Sequence, residues 1–154
     1  MSRLLGIDPG LSGALVILEH DQPIEWMRMP TYLVGKSNRV NGSALAAFIG
    51  HMIIDQAYIE QVGAMPGQGV TSMFTFGHAT GTVMGVLAAL GIPVINVLPG
   101  TWKKCAGIIG KDKDGSRSKA IQLWPGWREL DKKLAGQAYA DAALIARYGN
   151  ERHQ

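Results

Sequence analysis

The order of apolar runs predicts one α/β domain on a five-stranded mixed sheet, in which three antiparallel strands come first and two later strands lie parallel to the first. Three observations predict it. Short apolar runs at 3–8, 14–19 and 24–29 follow one another with room only for tight links. After residue 41 the pattern changes to apolar positions at helical spacing, interrupted by two further short apolar runs at 57–62 and 93–98. A strand that returns through a helix rejoins the sheet parallel to its predecessor, with a right-handed crossover. The 154 residues, 47% hydrophobic and 18% charged, suit a single compact domain.

Taken in order, the first run ends on Asp8 and turns at Pro9-Gly10. The second and third are joined at 20–22, completing an antiparallel meander. Residues 30–41, with Gly35, Lys36, Ser37 and Arg39, read as a mobile loop. Asn41 or Ser43 is placed to cap a helix whose Leu45, Phe48, Ile49, Met52 and Ile53 share one face. The run at 57–62 has Glu60 inside it and is followed by a glycine-rich loop at 63–69. A long helix is expected over 71–90, stopped by Gly91, and then the strand at 93–98. Short helices at 102–107 and 116–123 flank a basic loop, and a last helix spans 136–148, stopped by Gly149.

The composition argues against several classes. The most apolar stretch, 83–98, is broken by Gly85, Gly91 and Pro93, which reads as helix, turn and strand, not a membrane span. The first ten residues lack the apolar core of a signal peptide. Cys105 stands alone, so no internal disulfide forms; a buried thiol in a cytoplasmic protein is the expectation. Net charge is only +3, but residues 101–133 hold nine Lys or Arg against four acids, so this segment is +5 and the remainder −2. Such asymmetry points to a polyanionic partner, most simply nucleic acid, with an ordinary solvated surface as the alternative. The cations are Lys103, Lys104, Lys111, Lys113, Arg117, Lys119, Arg128, Lys132 and Lys133; Lys36 and Arg39 extend the set.

Three acids are out of place for a core. Asp8 ends an apolar strand, where a turn aspartate is the plain reading. Glu60 interrupts the apolar run YIEQV of a strand that should be central. Asp141 shares a helical stripe with Leu144 and Ile145, amid the small residues Ala138, Ala142 and Ala143, which permit a close approach to the sheet. Buried carboxylates are costly unless paired or bound to metal. Strands parallel to the first carry their ligand sites at their carboxyl ends, where Asp8 and Glu60 both lie. Hard oxygen donors without His or Cys select Mg²⁺, with Mn²⁺ as a substitute. A pair of such ions suits phosphodiester hydrolysis without a protein nucleophile. Of the histidines, His20, His51, His78 and His153, none forms a triad, and His78 reads as a helix-surface residue.

The motifs GIDPG at 6–10, IEQV at 59–62 and ADAALIA at 140–146 together resemble the RuvC family of Holliday-junction resolvases, especially the short versions carried by bacteriophages. MPGQGVTSMFTFGHATG at 65–81 is similar to the segment that follows the second acid in those phage-type members. The resemblance spans nearly the whole chain. It implies a ribonuclease H-like fold, a homodimer, Mg²⁺ and paired nicks across a four-way DNA junction in the cytoplasm of a bacterial host. By position, Asp8, Glu60 and Asp141 match three of the family's catalytic, metal-binding acids. The family usually carries an acid or His one helical turn before the last Asp; here that residue is Ala138, so a second ion would need water or Gln137. Lys103 or Lys104 and Lys119 are the nearest matches to family lysines. The place of an aromatic wedge is Gly63, and Met65, Met73 or Phe74 are the candidates to replace it, with core packing as the alternative for Met73, Phe74 and Phe76.

Gly77, Gly81 and Gly85 recur every fourth residue on the long helix, at about 1 kcal/mol each relative to alanine. Close contact with the sheet or with the same helix of a second copy would compensate; a two-fold dimer suits a junction that presents two equivalent strands. Rival readings are a related nuclease acting on flaps, forks or RNA–DNA hybrids, a non-catalytic junction binder, and a nucleotide-binding ATPase suggested by GIDPG alone, for which the chain is too short to form two lobes.

Overall fold

A computed structural model describes residues 2–152; Met1, His153 and Gln154 lie outside it. Strands β1 (Arg3–Asp8), β2 (Ala14–Glu19) and β3 (Gln22–Arg28) form the meander. Next come β4 (Thr31–Val34), β5 (Ser37–Val40), α1 (Gly42–Gly50), β6 (Gln56–Glu60), α2 (Val70–Ala89) and β7 (Val94–Val97). The rest is helical: α3 (Pro99–Ala106), α4 (Gly115–Leu123), a 3₁₀ turn at Arg128–Asp131 and α5 (Lys133–Arg152). The main sheet has the order β3-β2-β1-β6-β7, antiparallel across β3, β2 and β1 and parallel across β1, β6 and β7. This is the sheet expected from sequence.

Alternation along the strands divides the interior in two. Leu5, Ile7, Leu15, Ile17, Ala57 and Ile59 face α1 and α2, where Leu45, Ile49, Ala79, Val83 and Leu87 cover them. Leu4, Ala14, Val16, Leu18 and Tyr58 face the other way, under α5 and the tryptophans of the α3–α5 segment. The second face carries Asp8 and Glu60, because each lies two residues beyond a position that faces α5 or its immediate partner. Helix α5 sits at backbone contact on that face: a Cβ at Gly6 would stand 1.9 Å from the Ala142 carbonyl oxygen.

Four expectations are corrected. Residues 30–41 do not form a mobile loop; β4 and β5 pair as an antiparallel hairpin around Gly35 at φ +62°. Helix α5 runs past Gly149 to Arg152, because that glycine serves contact: its Cβ would overlap the Tyr58 ring at 2.1 Å. Ile53 lies beyond the end of α1 and is exposed. Cys105 is exposed, not buried, and its thiol hydrogen-bonds Glu151, which also pairs with Arg147. The helix caps agree with sequence, as Asn41 Oδ1 accepts from the Ala44 N–H at 3.1 Å and Gly91 turns the chain at φ +69°. Among the described residues, no helix is long and apolar enough to cross a membrane.

The backbone contact makes a stability prediction. Gly6→Ala should lower unfolding free energy by about 1–3 kcal/mol or more, since only a backbone shift can admit the methyl group. Chemical denaturation with constant m-value tests this; an unchanged midpoint would show that α5 does not rest on Gly6.

Candidate active site at the carboxyl end of the sheet

β1 and β6 are parallel with Ile7 opposite Ile59, so the next residues, Asp8 and Glu60, end neighbouring strands side by side. The Gly6–Ala142 contact sets α5 over the same end, and Asp141 precedes Ala142. The three acids are all half-buried. Asp8 and Asp141 line one cavity of about 290 Å³ together with Ser12, Arg28, Gln137 and Ala138.

Their electrostatics show the cost of this placement. Burial first, then repulsion from Asp141 and Glu60, pushes the Asp8 carboxyl up to about 7, with Lys103 and Arg28 pulling against the rise. Burial and the charge of Glu60 push Asp141 up to about 6, opposed by a hydrogen bond from the Ser116 hydroxyl and by Lys103. Glu60 is turned toward Trp102, whose buried indole N–H donates to its Oε2 at 2.6 Å. Among the described residues, no three His, Cys, Asp or Glu side chains stand close enough together to form a finished metal-holding group. The acids thus share a region and feel one another's charge, but Trp102 and Ser116 hold two of them on neutral donors. Mutual repulsion disfavours a tighter cluster of the three carboxylates. Carboxylate oxygens without His or Cys are a fitting donor set for Mg²⁺ or Mn²⁺.

Lys103 is the basic residue from the sequence set that reaches the acids; its ammonium also lies over the Trp102 ring, 5.4 Å from the centroid. Lys111 and Lys119 line a separate polar cavity of about 480 Å³ with Gly107, Asp112 and Ser118. Lys104 and Lys113 are exposed. Arg117 leaves the candidate DNA-facing set, since its guanidinium donates to Asp114 at 2.7 and 3.0 Å and to the Leu130 carbonyl at 2.9 Å. Arg128 and Lys132 are likewise paired, with Asp131 and Glu129. Lys36 is exposed at the hairpin tip, and Arg39 lies over the Phe74 ring at 5.5 Å.

The apolar candidates divide. Met65 is 70% and Phe74 60% exposed, and Met73 also reaches solvent, so core packing does not account for them. Phe76 is half-buried and lines two surface cavities. His78 is exposed, as expected. Nothing lies within 4 Å of a Cβ built at Gly77, Gly81 or Gly85, which removes sheet contact as their explanation. Three residues at the site were not singled out in sequence: Trp102, Ser116 and Arg28. Ser116 carried a weak signal as a small polar residue in a helix, whereas Arg28 is placed by strand register alone.

No family model matches the chain. The Holliday junction resolvase MOC1, chloroplastic, of Chlamydomonas reinhardtii is 33% identical over 90 residues, 58% of this chain. Those residues span about a tenth of that relative's length. A structure of T. thermophilus RuvC in complex with Holliday junction substrate superposes with a TM-score of 0.65, covering 99% of this chain and 96% of that one at 14% identity. The fold is that of RuvC. A second Thermus thermophilus RuvC structure agrees, with a TM-score of 0.62, 16% identity and 98% and 96% coverage. The RuvC architecture is the ribonuclease H-like arrangement implied by the sequence resemblance.

The raised carboxyls carry a definite sign. The folded chain keeps protons that the unfolded chain releases near its ordinary 3.8, so stability falls as pH rises from about 4 through about 7. Asp8→Asn and Asp141→Asn should therefore each raise unfolding free energy at pH 8, by about 1–3 kcal/mol, and do so far less at pH 4. Thermal denaturation at the two pH values, without divalent cation, measures it. Equal melting temperatures of wild type and Asp8→Asn at pH 8 would remove the repulsion argument.

Proposed function

We propose that this chain is a RuvC-family endonuclease, of the short phage-type form, that binds four-way DNA junctions as a homodimer and resolves them by paired metal-dependent nicks. The observation that carries the reading is the convergence of Asp8, Glu60 and Asp141 at one end of a RuvC-type sheet, with Lys103 beside them. Asp8 and Asp141, pushed up by burial and by neighbouring acids and only partly relieved by Lys103, suit a site whose charge a bound cation would balance. The partial identity to a chloroplast junction resolvase supports the same substrate class.

Asp8, Glu60 and Asp141 would hold Mg²⁺ or Mn²⁺, which supplies Lewis-acid activation of water and charge neutralisation at the phosphate. Trp102 orients Glu60, and Ser116 orients Asp141. Gln137 lines the cavity with Ala138, so it is the protein side chain available to a second ion alongside water. Lys103 provides a phosphate contact beside the acids, Lys104, Lys111, Lys113 and Lys119 provide further ones along the basic segment, and Lys36 and Arg39 extend them onto the hairpin. Met65, Met73 and Phe74 border the loop after Glu60 and supply the apolar surface for an opened base step. The open face of Gly77, Gly81 and Gly85 admits close helix–helix contact with a second copy.

A synthetic four-way junction incubated with Mg²⁺ or Mn²⁺ should receive symmetric nicks. Asp8→Asn, Glu60→Gln and Asp141→Asn should each reduce the rate by about 100-fold or more while leaving junction binding in place. Full activity in any one of them would break the shared site. Equal cutting of junction, flap and RNA–DNA hybrid would replace junction selectivity with general nuclease action. Tight binding with no cutting in either metal would make the chain a junction-binding protein, the reading that Ala138 favours. Raising salt should weaken binding steeply, in proportion to the phosphate contacts.

A further inference from the structure

The cavity shared by Asp8 and Asp141 is also lined by an arginine, Arg28, that forms no ion pair among the described residues. Arg28 closes β3, and the register places it beside Ala14 of β2, which stands beside Asp8 of β1. Adjacent strands lie about 4.8 Å apart, so two steps across the sheet separate Arg28 from Asp8 by about 10 Å at the backbone. Both face α5, since Trp26, two residues before Arg28, packs against the cluster beneath that helix. Between them stands only the methyl group of Ala14, low enough for a long side chain to lean back over it. Arg28 lines the cavity with Asp8, Gln137, Ala138 and Asp141, its guanidinium stands at the Ser12–Gly13 turn between β1 and β2, and its charge is felt at Asp8.

The backbone that carries it is fixed. The Met29 N–H donates to the Gly13 carbonyl at 3.0 Å, the Arg28 backbone hydrogen-bonds the Tyr139 hydroxyl, and the Trp26 ring lies 5.1 Å from that of Trp127. The head group is not held in the same way. Among the described residues no ion pair includes Arg28. Its Nε and an Nη reach only the carbonyl oxygens of Gly13 and Ser12, at 3.4 and 3.3 Å, long for charge-assisted bonds. A half-buried guanidinium with unused donors, facing a cavity that also holds two carboxylates, is set to receive another anion.

We propose that Arg28 is a catalytic residue whose guanidinium grips the non-bridging oxygens of the phosphodiester being cut, on the side of the cavity where Ala138 supplies no acid. The proposal rests on the nuclease reading above. In hydrolysis, the water oxygen bonds to phosphorus as the bond to the leaving 3′-oxygen breaks. The water gives up a proton, the leaving oxygen gains one, and negative charge concentrates on the non-bridging oxygens between these events. Two parallel N–H donors match those oxygens in shape and sign. An acid at position 138 would draw the guanidinium into an ion pair; alanine leaves it free for substrate.

The test uses the full chain and a synthetic four-way junction in single-turnover conditions, with binding measured separately without divalent cation. Arg28→Ala should lower the cutting rate about 100-fold while the junction Kd stays within about threefold. Arg28→Lys should recover only a small part of the rate, because an ammonium lacks the fork, and added guanidinium ion should accelerate Arg28→Ala but not wild type. Tryptophan fluorescence of each variant verifies that the Trp26–Trp127 packing is intact. Arg28→Ala cutting within threefold of wild type overturns the proposal, as does a loss that tracks Kd alone and that guanidinium does not relieve. A wild-type chain that binds the junction and never cuts it overturns the nuclease reading, and this role with it.

Discussion

The Ala142 carbonyl oxygen would sit 1.9 Å from any Cβ at Gly6, so α5 meets β1 at backbone contact, and the arrangement of the site depends on this approach. β1 is the central strand of the sheet, with β2 antiparallel on one side and β6 parallel on the other. A helix laid directly on it covers the ends of all three. The alanines of α5 at 138, 140, 142, 143 and 146 are buried, which keeps the contact close along two turns. Asp141 is the polar exception in that stripe, and it occurs where the helix passes the end of β1. Gly149 repeats the device two turns later against Tyr58, so the helix is pinned at both ends of its contact.

This closeness makes the electrostatics unfavourable by construction. Three carboxylates under one helix lose water and repel one another, and protein donors relieve them only in part. Trp102 and Ser116 each satisfy an oxygen without adding charge, while Lys103 and Arg28 add charge without closing an ion pair. A close Lys–Asp pair would relieve Asp8 more fully, but it would also neutralise the ligand. Partial relief keeps the acids in place and, on the proposed reading, would leave them competent for a cation, stability being given up where that function needs it.

Much of this was legible in the residues. Asp8, Glu60 and Asp141 stood out because charge inside an apolar pattern contradicts burial, and a contradiction is visible without coordinates. The parallel arrangement of the later strands followed from the helices between them. Arg28 was not legible, because it closes an unremarkable strand and approaches Asp8 only through a register that pairs both with Ala14. Trp102 reads as any core tryptophan until its indole N–H is seen on Glu60. In the hairpin at 31–40, Tyr32, Leu33 and Val34 follow one another on an exposed strand with no alternation, and only Val40 reaches the core, so no periodicity announces it. Gly149 was read as a helix stop because glycine commonly ends helices; its actual constraint, the Tyr58 ring, lies 91 positions away in the chain.

The two faces of the sheet carry different parts of the site proposed for a junction nuclease. The acids, Lys103 and Arg28 belong to the α5 side, whereas α2 covers the opposite side with Ala79, Val83 and Leu87 and turns Gly77, Gly81 and Gly85 outward. Contact between copies through α2 would therefore leave each set of acids uncovered. The short segment after Glu60 connects these two regions: β6 ends at that acid, and ten residues later α2 begins. Met65 lies on this connection and Met73 and Phe74 on the first turn of α2; on the proposed reading, DNA pressing on them would act both on the strand end that positions Glu60 and on the start of the helix proposed for pairing. On that reading one loop would link binding, pairing and the position of Glu60, and the exposure of Met65, Met73 and Phe74 would be the cost of keeping that surface open to substrate.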